Sequence, residues 1–365
     1  MKRVSPEDVP AVRRCPVDKK ARAVAEAIVE AVRADGEAAL RRYAEQFGEL
    51  QAGASLVLTR DVELKKAYDE ISQEERDMLE RTAERIRAFA LAQEGALTEV
   101  TVPIPGGEAG HTVEPVEVAG CYAPGGRYPL PSTVLMTAVT ARAAGCRRVI
   151  VASPRPSKIT LAAAYVSGAD VLLPIGGAHA IAALAYGAGP VEACDAVVGP
   201  GNMFVTAAKS LVAGSVAIDM LAGPSEVLVI ADESADAAVV AADLLAQAEH
   251  DPSASCYLIS TSAQLADEAE IEVAKQLAVL PTREIAVQAL ANGSYVVVVD
   301  NLDAAAAISD RNAPEHLELH VTDPMALKAK LKHYGGLLRL TLTPNPNPHG
   351  RAQALWRSPK PNPNP

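Results

Sequence analysis

The sequence predicts an α/β protein with two doubly wound parallel-sheet halves behind an N-terminal helical unit. From Val118 onward, short continuous apolar runs such as Arg147–Ser153 alternate with helical segments, which is typical of parallel strands that are covered on both faces. The alternation occurs in two successive series, the second of which begins at Glu226. Before these series, apolar residues recur at helical spacing between charges, which favours helices.

These changes in pattern define four predicted segments. Residues 1–97 form the helical unit, 98–221 the first α/β half, 222–343 the second α/β half, and 344–365 a tail. The tail contains seven prolines and is of low complexity. Such composition predicts an extended or disordered segment.

The elements follow in order along the chain. Helices are expected within Asp18–Phe47 and Asp61–Leu91, and strands at Thr98–Ile104 and Thr112–Val118. The first half then has strands at Val118–Tyr122, Arg147–Ser153, Asp170–Ile175 and Ala196–Val198, with helices at Pro131–Gly145, Ile159–Gly168, His179–Tyr186 and Asn202–Leu211. The second half has strands at Glu226–Ile230, Ser255–Ser260, Tyr295–Val299, His316–Val321 and Leu337–Leu342, with helices at Ala235–His250, within Ala263–Ala291 and at Asp303–Asp310.

Composition excludes several classes of function. The net charge is −11 and no basic, aromatic-rich patch occurs, which argues against a nucleic-acid partner. The N-terminus has no apolar signal core, and no run of 18 apolar residues predicts a membrane span. The cysteines form no CxxC pair, so reduced thiols and a cytoplasmic location are expected. They are Cys15, Cys121, Cys146, Cys194 and Cys256.

Three glycine-rich turns follow predicted strands, at 123–126, 176–177 and 199–201. Such turns expose backbone N–H groups, and the helices that follow them favour anions. In an open α/β sheet, ligands bind at the carboxyl ends of the strands. The turns therefore indicate a nucleotide or phosphate site, although α/β folds also need glycine turns for purely structural reasons.

The helix expected over Ala235–His250 is polar where it should be buried. Asp232 or Ser234 is the expected cap. Gln247 and His250, three residues apart, are able to reach one metal ion, although an amide oxygen is an uncommon zinc ligand. A solvated helix end explains the same pattern, so both interpretations stay open. The polar residues that fall within about 60° on the helical wheel are Asp236, Asp243, Gln247 and His250.

Glu315 and His316 are adjacent where a turn enters a predicted strand. Successive residues of a regular strand face opposite sides, but a strand end can present both to one cleft. A histidine of near-neutral pKa can take a proton from an alcohol, and a glutamate can activate water. The alternative is an exposed glutamate beside a structural histidine. Ser225 lies in no nucleophile motif and is better explained as a substrate-binding hydroxyl.

Five segments, in this order and spacing, resemble the histidinol dehydrogenase family. They are GCYAPGGRYPLPSTVLM, VVGPGNMFVTAAK, IDMLAGPSEVLVIAD, DLLAQAEHDPSA and NAPEHLEL. The resemblance extends to about Gly336. It implies Rossmann-like halves and a zinc-dependent, NAD-linked homodimer of histidine biosynthesis, which oxidises the amino alcohol L-histidinol through its aldehyde to L-histidine.

The resemblance also implies roles for individual residues. Tyr122, His179 and Asn202 are expected to contact NAD. Glu315 is expected to activate water, and His316 to act as the general base and touch the substrate. The expected substrate-binding residues are Ser225, Gln247, His250 and His316, of which Gln247 and His250 are also the expected zinc ligands. We expect Gln247, His250, Glu315 and His316 to line one cleft at the junction of the two halves.

The sequence departs from the family after residue 342. Family members supply further metal and substrate ligands there, whereas no Asp or Glu follows Asp323 and His349 lies in a Pro-Asn tract. An incomplete zinc site, a weakened dimer, weak NAD binding and slow turnover are therefore expected. Two alternatives stay open: a degenerate inactive homologue that keeps weak NAD binding, and a related zinc and NAD dehydrogenase for another small polar alcohol.

Overall fold

A computed structural model describes residues 1–9, 17–125 and 129–339. The chain divides into two compact units, each built around a six-stranded sheet. The first unit spans Cys15–Gly223, so the N-terminal helices belong to the same unit as the first α/β half. The second unit combines Met1–Arg14 with Pro224–Pro365.

The elements are numbered in chain order. The strands are β1 (Lys2–Arg3), β2 (Leu58–Thr59), β3 (Val100–Ile104), β4 (Gly107–His111), β5 (Val118–Tyr122), β6 (Arg148–Ala152), β7 (Val171–Leu173), β8 (Ala196–Val198), β9 (Ala217–Ile218), β10 (Glu226–Ala231), β11 (Ser255–Ser260), β12 (Tyr295–Val298), β13 (His316–His320) and β14 (Gly336–Arg339). The helices are α1 (Lys19–Asp35), α2 (Glu37–Gln46), α3 (Lys65–Glu70), α4 (Gln73–Glu94), α5 (Pro131–Ala143), α6 (Lys158–Ser167), α7 (Gly177–Tyr186), α8 (Met203–Val212), α9 (Ala237–Ala248), α10 (Ala263–Leu277), α11 (Arg283–Asn292), α12 (Leu302–Asn312) and α13 (Pro324–Lys328), and a π-helical turn spans Arg60–Leu64.

The two sheets share one strand order. The first unit reads β2-β7-β6-β5-β8-β9 and the second reads β1-β12-β11-β10-β13-β14. Within each sheet, the five strands after the edge strand follow the order third, second, first, fourth, fifth, and all of them are parallel. In both sheets the chain therefore reverses its direction of travel between the first and fourth strands. This shared order agrees with the two successive series of elements in the sequence.

Each sheet is buried on both faces, as the continuous apolar strands predict. In the first unit, Ile150 packs with α1, α7 and α8 on one face, while Val149 and Val151 pack with α4, α5 and α6 on the other. In the second unit, Val229 faces α9, α10 and α11, while Ile230 faces α12. The α/β fold class with doubly wound parallel sheets is thus confirmed.

The structure corrects several predicted elements. The strand expected at Thr112–Val118 is wrong, because Gly106, at φ +88°, makes a tight turn and β4 begins at once. The two-residue strands β1 and β2 have no apolar pattern and were not expected. The cap of α9 is neither Asp232 nor Ser234 but Asp236, whose side chain accepts from the Ala238 N–H. Cys15, Gly126, residues 340–342 and the tail 344–365 lie outside the described residues.

The described cysteines are reduced and buried. Cys121, Cys146, Cys194 and Cys256 are free thiols. Burial raises the pKa of Cys121 and of Cys256 to about 12, so both stay protonated. Within the described ranges, no helix has both the length and the apolar character that a membrane span requires.

Candidate functional site

The glycine turns of the first unit meet at the carboxyl ends of β5, β7 and β8. The Gly177 N–H donates to the Tyr122 hydroxyl at 3.1 Å, which joins the turn after β7 to the end of β5. Gly199 has a φ of +118°, and a Cβ there would overlap the Tyr122 carbonyl oxygen. Only glycine therefore lets the turn after β8 approach β5. The turns lie around the point where the strand order reverses, which is the usual ligand crevice of such sheets.

Lys209 and Asp219 hold the turn after β8 in place. The Asp219 carboxylate accepts from the Gly199 N–H at 2.8 Å, and Lys209 Nζ donates to the Gly199 carbonyl at 3.0 Å. Lys209 also pairs with Asp219 and is only 2% exposed. The sequence analysis did not predict a role for either residue at this turn. The sequence does contain one signal, a lysine on the buried face of α8, because a buried charge needs a partner of opposite charge.

The predicted cofactor contacts lie in different environments. Tyr122 is buried, and this burial raises its pKa to about 12. His179 is 1% exposed, and its Nε2 lies 2.8 Å from Glu49 Oε2, which also accepts from the Gly176 N–H. Asn202 is exposed, and its side chain caps α8 by accepting from the N–H groups of residues 204 and 205. Asn202 is thus the one of the three whose side chain is open to a ligand.

In the second unit, Glu315 and His316 contact the same residue of the neighbouring strand. Glu315 Oε2 accepts from the Glu226 N–H at 3.2 Å, and His316 Nδ1 lies 3.1 Å from the Glu226 carbonyl oxygen. A carbonyl only accepts, so Nδ1 carries the ring proton and Nε2 keeps its lone pair. The strand end therefore brings both side chains together, despite their adjacent positions.

Backbone geometry around this pair is tightly fixed. Ala313, in the left-handed region at φ 48°, ends α12 and turns the chain toward β13. The Gly336 N–H then donates to the Glu315 carbonyl at 2.7 Å. A Cβ on Gly335 would lie 2.7 Å from that same oxygen. The Gly336 N–H therefore fixes the Glu315 carbonyl, and Gly335 is a position that no larger residue can occupy without movement.

Ser225, Gln247 and His250 belong to the same edge of the second sheet. The Ser225 carbonyl accepts from Ser255, at the start of β11, and Glu226 pairs with Ser255 in register. Helix α9 runs antiparallel to β10, so its last turn and His250 lie beside these strand starts. Gln247 is 8% exposed, and its Nε2 has no partner in the described part of the chain. The predicted substrate and catalytic residues thus occupy the amino edge of this sheet.

The carboxyl edge of the second sheet is closed instead. Buried Asp232 accepts from the Thr322 N–H at 2.8 Å and from Ser234, so it bridges β10 and β13. Burial raises the pKa of this carboxyl, but the hydrogen bonds from Ser234 and Thr322 together lower the pKa by more than burial raises it. The net pKa is therefore lowered. In the first sheet an aspartate bridges the amino edge, where the exposed Asp195 accepts from the Val118 N–H at 2.8 Å.

One cluster was missed by sequence reasoning. His320 Nε2 lies 3.2 Å from an Asp243 oxygen and 3.5 Å from a Glu318 oxygen. The His320 side chain is 3% exposed. Burial of the ring lowers its pKa, but the bonds with Asp243 and Glu318 raise it more, and the net pKa is raised to about 9. The signals were His320 and Glu318 on one face of a strand and Asp243 on the polar face of α9.

Comparisons with known proteins agree with this architecture. A sequence profile described as histidinol dehydrogenase matches residues 13–347. A histidinol dehydrogenase from Thermus thermophilus is 44% identical over 311 residues, which cover 85% of this chain and 74% of that protein. A histidinol dehydrogenase from Methanococcus maripaludis is 40% identical over 314 residues, which cover 85% of this chain and 73% of that protein. A crystal structure of histidinol dehydrogenase from Elizabethkingia anophelis has a TM-score of 0.86 at 30% identity, covering 94% of this chain and 81% of that one.

The Gly199 turn generates a stability prediction. Gly199→Ala should destabilise the chain by about 3 kcal/mol, because the new methyl meets the Tyr122 backbone and the φ is unfavourable. Gly214→Ala is the matched control, since Gly214 has a φ of +97° but nothing near its Cβ position, and it should cost about 1 kcal/mol. Urea denaturation measures both. Equal losses would mean that close approach at Gly199 has no energetic weight.

The His320 cluster generates a pH prediction. A pKa raised from 6.5 in the unfolded chain to about 9 in the folded one stabilises the fold fully below pH 6.5. That contribution, about 3 kcal/mol, is lost as pH rises through 9. Urea denaturation with a chelator present should show this fall in the wild type and in His333→Gln, whose ring is exposed, but not in His320→Gln. The same fall in His320→Gln would contradict the assignment.

Proposed function

We propose that this chain, which belongs to the histidinol dehydrogenase family, oxidises L-histidinol to L-histidine with NAD in histidine biosynthesis. The observation that carries the proposal is the Glu315–His316 pair on Glu226. It supplies a base with a free lone pair beside a carboxylate, which are the two groups that oxidation of an alcohol through an aldehyde requires. Bound NAD supplies the hydride acceptor for both oxidations.

In the first oxidation, His316 Nε2 would remove the hydroxyl proton of the alcohol and become a protonated imidazole. NAD, when bound, would accept the hydride from the same carbon, which leaves the aldehyde. The hydrogen bond from Nδ1 to the Glu226 carbonyl supports this role, because it fixes the ring orientation and stabilises the cation that forms. The imidazole returns its proton to solvent before the second oxidation.

In the second oxidation, Glu315 accepts a proton from the water that attacks the aldehyde carbon. The resulting hydrate would then lose a hydroxyl proton to the neutral His316 imidazole and a second hydride to NAD, and would become the carboxylic acid. The Glu226 N–H bond orients the Glu315 carboxylate through Oε2. Glu315 is exposed at the strand start, so water has access to it.

NAD is proposed to bind at the carboxyl edge of the first sheet. The convergence of three glycine turns at the strand-order reversal supports this position, and it fits a dinucleotide. Asn202, at the N-terminus of α8, is open to a ligand. Tyr122 and His179 remain predicted contacts, and their buried hydrogen bonds give them a share in shaping the Gly176–Gly177 turn.

Substrate binding is proposed for Ser225, Gln247, His250 and His316. Gln247 and His250 are also the proposed zinc ligands. Together they provide two neutral ligands, whereas zinc sites in proteins take at least three. This donor pair alone does not fit the metal, so no step of the proposed reaction passes through it.

A homodimer also belongs to the proposal, and light scattering of the purified chain tests it.

Turnover of variants tests the catalytic assignment. His316→Gln should lower histidinol oxidation by about 10²–10⁴-fold. Glu315→Gln should oxidise histidinol to the aldehyde and stall there, because the water lacks its base. NADH production from histidinol and from histidinal separates the two effects. His333→Gln is the control for histidine loss in the same unit and should match the wild type. Unchanged oxidation of either substrate by both variants would overturn the proposal.

Calorimetry tests the cofactor site. Asn202→Ala should weaken NAD binding by about tenfold, because it removes a polar side chain and loosens the α8 N-terminus at the site. Asn301→Ala is the matched control, since Asn301 caps α12 of the second unit by accepting from the Ala304 N–H. It should lose similar stability and keep NAD affinity. Equal affinities of the two variants would place the cofactor elsewhere.

A further inference from the structure

Three side chains of metal-ligating type converge in the second unit. Asp243, Glu318 and His320 each offer one ligand atom, and these atoms all lie within 4.8 Å of one another. The set joins two rigid elements, α9 and β13. Among residues 1–9, 17–125 and 129–339, no other group of three His, Cys, Asp or Glu side chains converges in this way.

The carboxylates of this cluster lack a conventional counter-ion. The Asp243 and Glu318 side chains are 32% and 18% exposed. In the described part of the chain, neither pairs with a lysine or an arginine, and His320 is the sole ion-pair partner of each. The two partly buried carboxylates carry two negative charges and share a single imidazole. A divalent cation between the three side chains would neutralise both carboxylates.

The spacing of the ligand atoms fits a small metal ion. Zinc lies about 2.0–2.2 Å from nitrogen and oxygen ligands in proteins, so the ligands of a tetrahedral site are about 3.3–3.6 Å apart. The separations from His320 Nε2 are 3.2 and 3.5 Å. The ligand oxygens of Asp243 and Glu318 lie within 4.8 Å of each other, and rotation of one carboxylate would shorten this distance.

We propose that Asp243, Glu318 and His320 bind one divalent transition-metal ion at a site separate from Gln247 and His250. One imidazole and two carboxylates suit zinc, with the remaining position left to water. The expected order of affinity is zinc above manganese above magnesium, because the nitrogen ligand favours the later metals. Asp243 precedes Gln247 by one helical turn, about 6 Å along the axis, and Gln247 contributes no ligand here.

The experiment compares ligand variants by zinc binding. The full chain is stripped with a chelator, dialysed and titrated with zinc chloride by calorimetry, and bound zinc is counted after equilibrium dialysis. Glu318→Gln and Asp243→Asn should each weaken binding by at least about 100-fold. Glu249→Gln, which removes a charge at the end of the same helix, should bind zinc as the wild type does.

A double variant decides which residues hold the ion. Gln247→Ala with His250→Ala should keep one zinc per chain at wild-type affinity. Loss of all zinc in this variant, wild-type affinity in Glu318→Gln, or no zinc in the wild type would each overturn the proposal. Circular dichroism in chelator checks that each variant is folded. If Asp243→Asn unfolds, Glu318→Gln gives the same test from β13. The readout is metal content, so its failure is distinct from failure of the proposed reaction.

Discussion

Much of this structure depends on the pairing of the first and fourth strands in each sheet, β5 with β8 and β10 with β13. These pairs lie where the strand order reverses, which is where such sheets usually bind ligands. An aspartate bridges the two strands at one end in each case, the exposed Asp195 at the amino end in the first sheet and the buried Asp232 at the carboxyl end in the second. The two units therefore have the same strand order and carry these aspartate bridges at opposite ends.

The two sheets differ in the chemical groups that they present at the ends where we propose binding. In the first sheet, backbone groups dominate, because glycine turns approach one another more closely than side chains permit. In the second sheet, side chains dominate, and they are held by the backbone of Glu226. Rigid strands thus position groups that loops alone would leave less well oriented.

The sequence predicts the strands and helices well where burial is complete on both faces, since continuous apolar runs have one simple explanation. It fails where short elements depend on distant partners, as with β1, which pairs with β12. The α9 cap shows the same limit. Asp232 is a suitable residue type for a helix cap, but its carboxylate accepts from the N–H of Thr322, 90 positions away. No local feature of the sequence indicates this contact.

The polar residues divide along the same line. Glu315 and His316 are identified by residue type and by the family resemblance, but their joint contact with Glu226 follows only from strand register. The polar face of α9 is visible in the sequence, whereas the partners of Asp243 lie on β13, more than 70 residues further along the chain. The pairing of His179 with Glu49, 130 residues apart, is equally hidden.

The use of opposite sheet edges has an electrostatic consequence. Helices that connect parallel strands run antiparallel to them, so the carboxyl edge collects helix N-termini and the amino edge collects helix C-termini. The first carries partial positive charge and the second partial negative charge. The carboxyl edge of the first sheet therefore favours anionic groups, while α9 directs its negative end toward Gln247 and His250. One strand order thus gives the two sheets candidate edges of opposite partial charge.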